Sequence, residues 1–201
     1  MDIDGNGLVF VVLGAAFAGV AIHLLLWSRR QSRLVRRFAR ERGLDYRAGG
    51  SSRLEDAVNA CAAMEETGIV RAFSGLRDVV SLDGGTLFRA TELLDLNPWG
   101  SPQNTHQKRT AVFFRAPEAP AGIFFVTPTL SVEQRYPRGG SAAEQVRSHL
   151  EQAGIPAPPC TLSLSLAPGG GIAYLEPAIT GALSRRHLEY LVDLVARFQR
   201  S

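Results

Sequence analysis

The sequence predicts an α+β protein, with a single transmembrane helix followed by a mostly antiparallel sheet domain with packed helices. Three observations carry this reading. An apolar run covers residues 8–27 and contains one polar side chain, His23. Residues 29–42 then hold seven arginines against one acid, Glu41. Beyond Gly43 the hydrophobic period switches between two and about 3.6 residues, as it does where strands alternate with helices.

The apolar run comes first. About 20 helical residues span about 30 Å, the thickness of a bilayer's hydrocarbon core. The head before it carries Asp2 and Asp4 and no basic residue. The positive-inside rule then places the N-terminus outside and the rest of the chain in the cytoplasm. A cleaved signal peptide would have its basic residues in front, a shorter core and a small-residue cleavage site. Here the basic residues follow, and the run ends in Leu24, Leu25, Leu26 and Trp27. We therefore expect an uncleaved anchor, with Trp27 at the membrane–water interface. Lys108 is the only lysine beside 21 arginines, a codon bias of GC-rich bacterial genomes. The expected address is a bacterial inner membrane.

The division expected is 1–27 for the head and transmembrane helix, 28–43 for a basic juxtamembrane helix, and 44–201 for the cytoplasmic domain. In the juxtamembrane stretch Leu34, Val35, Phe38 and Ala39 make an apolar stripe at helical spacing. Gly43 reads as the helix C-cap. Arg29, Arg30, Arg33, Arg36, Arg37 and Arg40 are candidates for contact with anionic lipid headgroups, each worth about 1 kcal/mol near such a surface. Residues 43–201 hold 15 basic and 16 acidic side chains, so the domain is nearly neutral. A neutral domain argues against nucleic acid as a partner.

Within the domain, residues 44–47 read as a short strand. Ser51-Ser52 followed by Glu55 is a capping-box pattern opening a helix to about residue 66. Residues 69–73 and 79–82 read as two strands, Asp83-Gly84-Gly85 as a tight turn and 86–94 as the returning strand. Residues 97–107 read as a polar loop, and 110–115 and 122–127 as two further strands joined by a turn holding Pro117 and Pro120. A helix follows over 141–153, ended by Gly154 and stopped by Pro156, Pro158 and Pro159. Residues 161–166 alternate, with Leu162, Leu164 and Leu166 on one face and Thr161, Ser163 and Ser165 on the other. Pro168 and Gly169-Gly170-Gly171 form a hairpin turn, and residues 172–175 return. A last helix over 184–199 places Leu188, Leu191, Val192, Val195 and Phe198 on one stripe.

Three blocks of this pattern resemble uncharacterised bacterial proteins with one N-terminal transmembrane helix and a small cytoplasmic α+β domain. They are LVRRFARERGLDY, RTAVFFRAPEAPAGIFFVTP and the strand pair plus helix over residues 160–200. The resemblance implies the architecture and no activity.

Candidate functional residues lie mainly in the membrane helix. Gly14 with Ala18, and Ala15 with Gly19, are small-x-x-x-small pairs, which let two helix backbones approach closely in a bilayer. His23 is ionisable within the span, which marks it as a functional candidate. Gly19 lies one turn before it on the same face. That spacing resembles the A-x-x-x-H pattern of bacterial light-harvesting helices, and implies a bacteriochlorophyll or haem contact at His23. The chain is far longer than an antenna polypeptide and its expected orientation is reversed. The simpler expectation is a neutral imidazole hydrogen-bonded near the interface, with no cofactor.

Elsewhere no catalytic or metal-ligating spacing is found. Cys61 and Cys160 belong to no C-x-x-C pair and read as free thiols. His106, His149 and His187 are scattered. Glu65, Glu66 and Asp78 read as solvated surface. The expectation is a non-catalytic accessory or structural subunit of a larger bacterial membrane complex, of respiratory or photosynthetic type. Its partners would be other integral membrane subunits and anionic lipids. A stand-alone membrane-tethered binding or regulatory module is the alternative.

Overall fold

In the computed structural model, helix α1 (Gly5–Glu41) runs unbroken for 37 residues. At 1.5 Å per residue it is about 55 Å long. Its two ends live in different surroundings. Phe10 and Phe17 are each 74 % exposed, and Val12, Val20, Ile22, Leu25 and Leu26 are at least half exposed. Val35, Phe38 and Ala39 are buried. The apolar stripe is therefore covered by the domain's own core, not left free for the bilayer surface. The helix ends in a Schellman turn. Gly43 has φ +64°, its N–H donates to Arg40, and the Leu44 N–H donates to Ala39.

The structure describes residues 5–62, 70–95, 105–116, 120–136, 141–176 and 183–199. The expectations for Asp2, Asp4, Glu65, Glu66, Pro117 and most of the 97–107 loop lie outside the described residues.

After α1 come β1 (Tyr46–Gly49), α2 (Ser52–Ala62), β2 (Val70–Leu82), β3 (Gly85–Asp95) and β4 (Thr105–Phe114). Then follow β5 (Gly122–Val126), β6 (Val132–Tyr136), α3 (Ala142–Gln152), β7 (Thr161–Ala167), β8 (Gly170–Glu176) and α4 (Arg185–Phe198). The eight strands form one sheet in the order β1-β2-β3-β4-β8-β7-β5-β6, every pair antiparallel. The α+β reading holds.

Both faces of the sheet are covered. On one face Val80, Leu87, Val112, Leu164 and Leu175 pack with the end of α1 and with α3 and α4. On the other, Phe73, Phe88, Ala111 and Tyr174 pack with Val58 and Ala62 of α2. The alternation of residues 161–166 therefore does not mark an exposed face. Ser163 and Ser165 are as buried as the leucines between them, because α2 lies over β7 and β8.

Three strands depart from expectation. The two short strands at 69–73 and 79–82 are one strand, β2, kept in register with β3 by irregularities between Ser74 and Val80. Gly75 and Asp78 take positive φ there, and the extra residues hide the alternation. Strand β4 begins at Thr105, so residues 105–107 extend the β3–β4 ladder rather than belong to a loop. Strand β6 was not anticipated. Only its end residues, Val132 and Tyr136, are apolar, and it is an edge strand with one paired side.

Candidate functional site

The chemistry of the fold gathers in two buried ionic networks and one cleft. The first network joins α1 to the sheet. Asp78 sits at φ +50° in the irregular part of β2, a conformation that Asp tolerates better than most residues. Its carboxylate accepts from Arg89 at 2.9 Å, from the Ser32 hydroxyl at 2.7 Å and from the Tyr46 hydroxyl at 2.7 Å. Arg89 also donates to Ser32 Oγ at 2.6 Å and to the Ser28 carbonyl at 3.1 Å. Asp78 and Arg89 are almost fully buried. The reading of Asp78 as solvated surface is thus corrected: it is the counter-ion of Arg89 beneath α1. Burial, then the hydrogen bond to Asp78, pushes the Tyr46 hydroxyl up to about 12, which keeps it a donor. Burial also draws Arg89 below its ordinary value, against the pull of Asp78.

The second network stays within the opposite face. Glu92 accepts from Arg71 at 2.7 Å, from Arg109 at 2.8 Å and from the Tyr174 hydroxyl at 3.1 Å. The Arg71 and Arg109 guanidiniums lie 5.1 and 4.5 Å from the Tyr174 ring centre. Burial pushes the Glu92 carboxyl up, but Arg71 and Arg109 outweigh it and hold the group below the ordinary carboxylate range. Burial raises the Tyr174 hydroxyl.

The cleft opens where α1 meets the sheet. Its volume is about 40 Å³, and its walls include Trp27, Gln31, Arg77, Arg89, Lys108 and Thr110. Trp27 and Gln31 come from successive turns of α1, Arg77 from β2, Arg89 from β3, Lys108 and Thr110 from β4. Arg89 is neutralised by Asp78. Arg77 makes one long hydrogen bond, 3.3 Å, to the Ser28 hydroxyl. Neither Arg77 nor Lys108 has an ion-pair partner among the described residues. Gln31 is 7 % exposed, and its Oε1 is buried without a hydrogen-bond donor among the described residues. Among the described residues the cleft thus offers two uncompensated cations and one unmet amide acceptor.

The residues singled out from sequence lie elsewhere on α1. Gly14, Ala15, Ala18, Gly19 and His23 all sit on the exposed stretch. A Cβ placed on Gly14 or Gly19 meets nothing within 4 Å, so this face touches none of the described domain. Arg29, Arg30, Arg33, Arg36, Arg37 and Arg40 are all exposed. Two of them are engaged locally: Arg37 pairs with Glu41 at 2.7 Å, and Arg36 lies 5.9 Å from the Tyr46 ring. His187 completes a capping box with Ser184, and His149 packs 5.1 Å from the Phe198 ring. Cys61 and Cys160 are free, half-buried thiols, both pushed up by burial. No group of three metal-ligating side chains occurs among the described residues.

The networks were missed from sequence, although β3 carried a signal. Leu87-Phe88-Arg89-Ala90 is apolar on both alternating faces around the arginine. A strand covered on both sides must bury and pair any charge it contains.

No family model and no curated protein matches the chain. Among solved structures it is similar to the crystal structure of the mycobacterial trehalose monomycolate transport factor A, TtfA, at 11 % identity and a TM-score of 0.41, over 86 % of this chain and 94 % of that one.

Proposed function

We propose that the protein is a non-catalytic, membrane-anchored accessory subunit of a larger bacterial membrane complex, docked through α1 and through its sheet domain. One observation carries the reading. The same helix that exposes a run of large apolar side chains ends inside the domain core. An exposed apolar surface of this extent needs a nonaqueous partner. The helix is long and apolar enough to cross a bilayer, and its first half is not buried by the domain. The arginines after Trp27 favour an N-terminus outside and a domain in the cytoplasm. The small-residue face of Gly14, Ala15, Ala18 and Gly19 is open for a second helix. Nothing among the described residues favours a respiratory or photosynthetic host over another.

Extraction in a mild detergent, followed by size analysis and identification of co-migrating chains, tests this. A stable assembly much larger than the monomer is expected. A lone monomer, recovered from membranes under several mild detergents, would overturn the subunit reading. The cationic cleft favours a second reading, a membrane-tethered binding module that acts alone.

A further inference from the structure

We propose that the cleft between α1 and the sheet binds a hydroxyl-bearing phosphodiester, the chemistry of an anionic glycerophospholipid headgroup. The inference rests on the reading of α1 as a membrane anchor and deepens it.

Charge selects the ligand's sign. Arg77 and Lys108 face the cleft without counter-ions among the described residues, while Arg89 is already matched by Asp78. Arg109, which also borders the cleft, is matched by Glu92 and, at 3.6 Å, by Glu176. An anion is therefore attracted, and a cationic headgroup is repelled. The amide selects a second feature. Gln31 Oε1 is buried and accepts from nothing described, which is costly for a polar atom out of water. The phosphate of a phosphodiester monoanion has no hydrogen to give it. A headgroup with a free hydroxyl satisfies the acceptor while its phosphate meets the cations.

Size agrees. A cavity of about 40 Å³ holds about three water-sized groups. Two phosphate oxygens and one hydroxyl are three such groups. Depth agrees as well. From Trp27 to Gln31 is one helical turn, about 6 Å along the axis. A bilayer's polar layer is about 5–7 Å thick on each side. With Trp27 at the interface, the cleft opens at the level of the headgroups. Trp27 and Leu175 supply an apolar wall for the first carbons of the glycerol.

The exposed arginines Arg29, Arg30 and Arg33 attract any anionic surface, so the test must separate a built site from that general attraction. The full chain with Trp99→Phe leaves Trp27 as the sole indole. In neutral detergent micelles its fluorescence is followed while phosphatidylglycerol or phosphatidylserine is added at equal mole fraction. Both lipids carry one net negative charge, and only the first has free headgroup hydroxyls. A saturable change is expected with phosphatidylglycerol at about tenfold lower mole fraction than with phosphatidylserine. Arg77→Gln and Lys108→Gln should each weaken it about fivefold. Gln31→Leu should abolish the preference between the two lipids and keep residual binding to both. Arg29→Gln with Arg30→Gln should weaken both lipids alike and leave the preference intact. Soluble glycerol phosphate, added alone, distinguishes the source. Saturation by it at a concentration that inorganic phosphate cannot match supports the site and assigns it a free phosphoester. Equal response to both lipids, a preference unaffected by Gln31→Leu, or an affinity unaffected by Lys108→Gln, overturns the proposal. Alkaline carbonate washing of membranes reads the anchor separately. Protein retained in the pellet with no lipid preference refutes the cleft alone, and protein released refutes the anchor.

Discussion

The two buried ionic networks use the same chemistry for different ends. The Glu92 network is internal to one sheet face: Arg71, Arg109 and Tyr174 come from β2, β4 and β8 and share one carboxylate. The Asp78 network ties the sheet to α1 through Ser28 and Ser32. A buried pair is weak evidence of net stability, but removing one partner strands the other out of water. The first network therefore guards the sheet, and the second guards the joint between helix and sheet.

Breaking the first should have the largest effect. Glu92→Ala leaves the buried Arg71 and the half-buried Arg109 without their shared anion, at a cost of about 3–5 kcal/mol. Thermal unfolding of the full chain in mild detergent should fall sharply, with β2, β3, β4 and β8 losing amide protection together. The pH dependence has a definite sign. Glu92 titrates below its ordinary value in the fold. Its contribution is present above the ordinary carboxylate value and is lost as pH falls through the lower, folded value. In Glu92→Ala this part of the acid sensitivity should disappear.

Asp78→Asn should cost less, about 1–3 kcal/mol, because Arg89 keeps the Ser28 carbonyl and the Ser32 hydroxyl. Its effect should be local. Amide exchange should rise in residues 28–39 while the β7–β8 pair stays protected. Equal loss of protection across the sheet would erase the distinction between the networks.

A smaller effect lies at alkaline pH. The Tyr46 hydroxyl is raised from 10.0 to about 12 in the fold. Its contribution is complete below about 10 and fades as pH rises through about 12. Tyr174 and Tyr190 are shifted in the same direction. The Tyr46 share is therefore the difference in alkaline unfolding between the native chain and Tyr46→Phe, and residues 28–39 should report it most.

The least effect on stability is expected from Gly19→Leu and His23→Leu, which touch neither network. Gly19→Leu should lower co-purification of a partner helix by holding it away, whereas His23→Leu should not. Loss of a bound pigment in both variants would instead indicate ligation at His23.

Much of the fold was legible because apolar spacing records which side of an element is covered. The stripe of α4 and the leucines of β7 are plain examples. What the spacing does not record is the covering element. Leu34, Val35, Phe38 and Ala39 announce a buried face without saying whether lipid or protein buries it. Strand β6 was illegible because an edge strand with polar faces carries no period. The candidate site was harder still. Ser32 and Asp78 are 46 residues apart, and Arg71 and Ser163 are 92 apart. No local pattern links them. Arg89 and Arg71, each set among apolar neighbours, betray charges that need distant partners.

The unbroken path of α1 through Trp27 has a mechanical consequence. From Trp27 to Glu41 the helix extends about 21 Å, and Asp78 and Arg89 grip its first part. A flexible linker would let the domain wander independently of the membrane. A stiff lever does not. A span tilted by about 20° displaces the far end sideways by about 7 Å. With α1 spanning the bilayer as proposed, a change in bilayer thickness that alters its tilt would be converted into domain position. Energy transfer between a dye on the domain and a lipid dye should differ between thin and thick bilayers, and inserting Gly-Gly after Trp27 should abolish the difference.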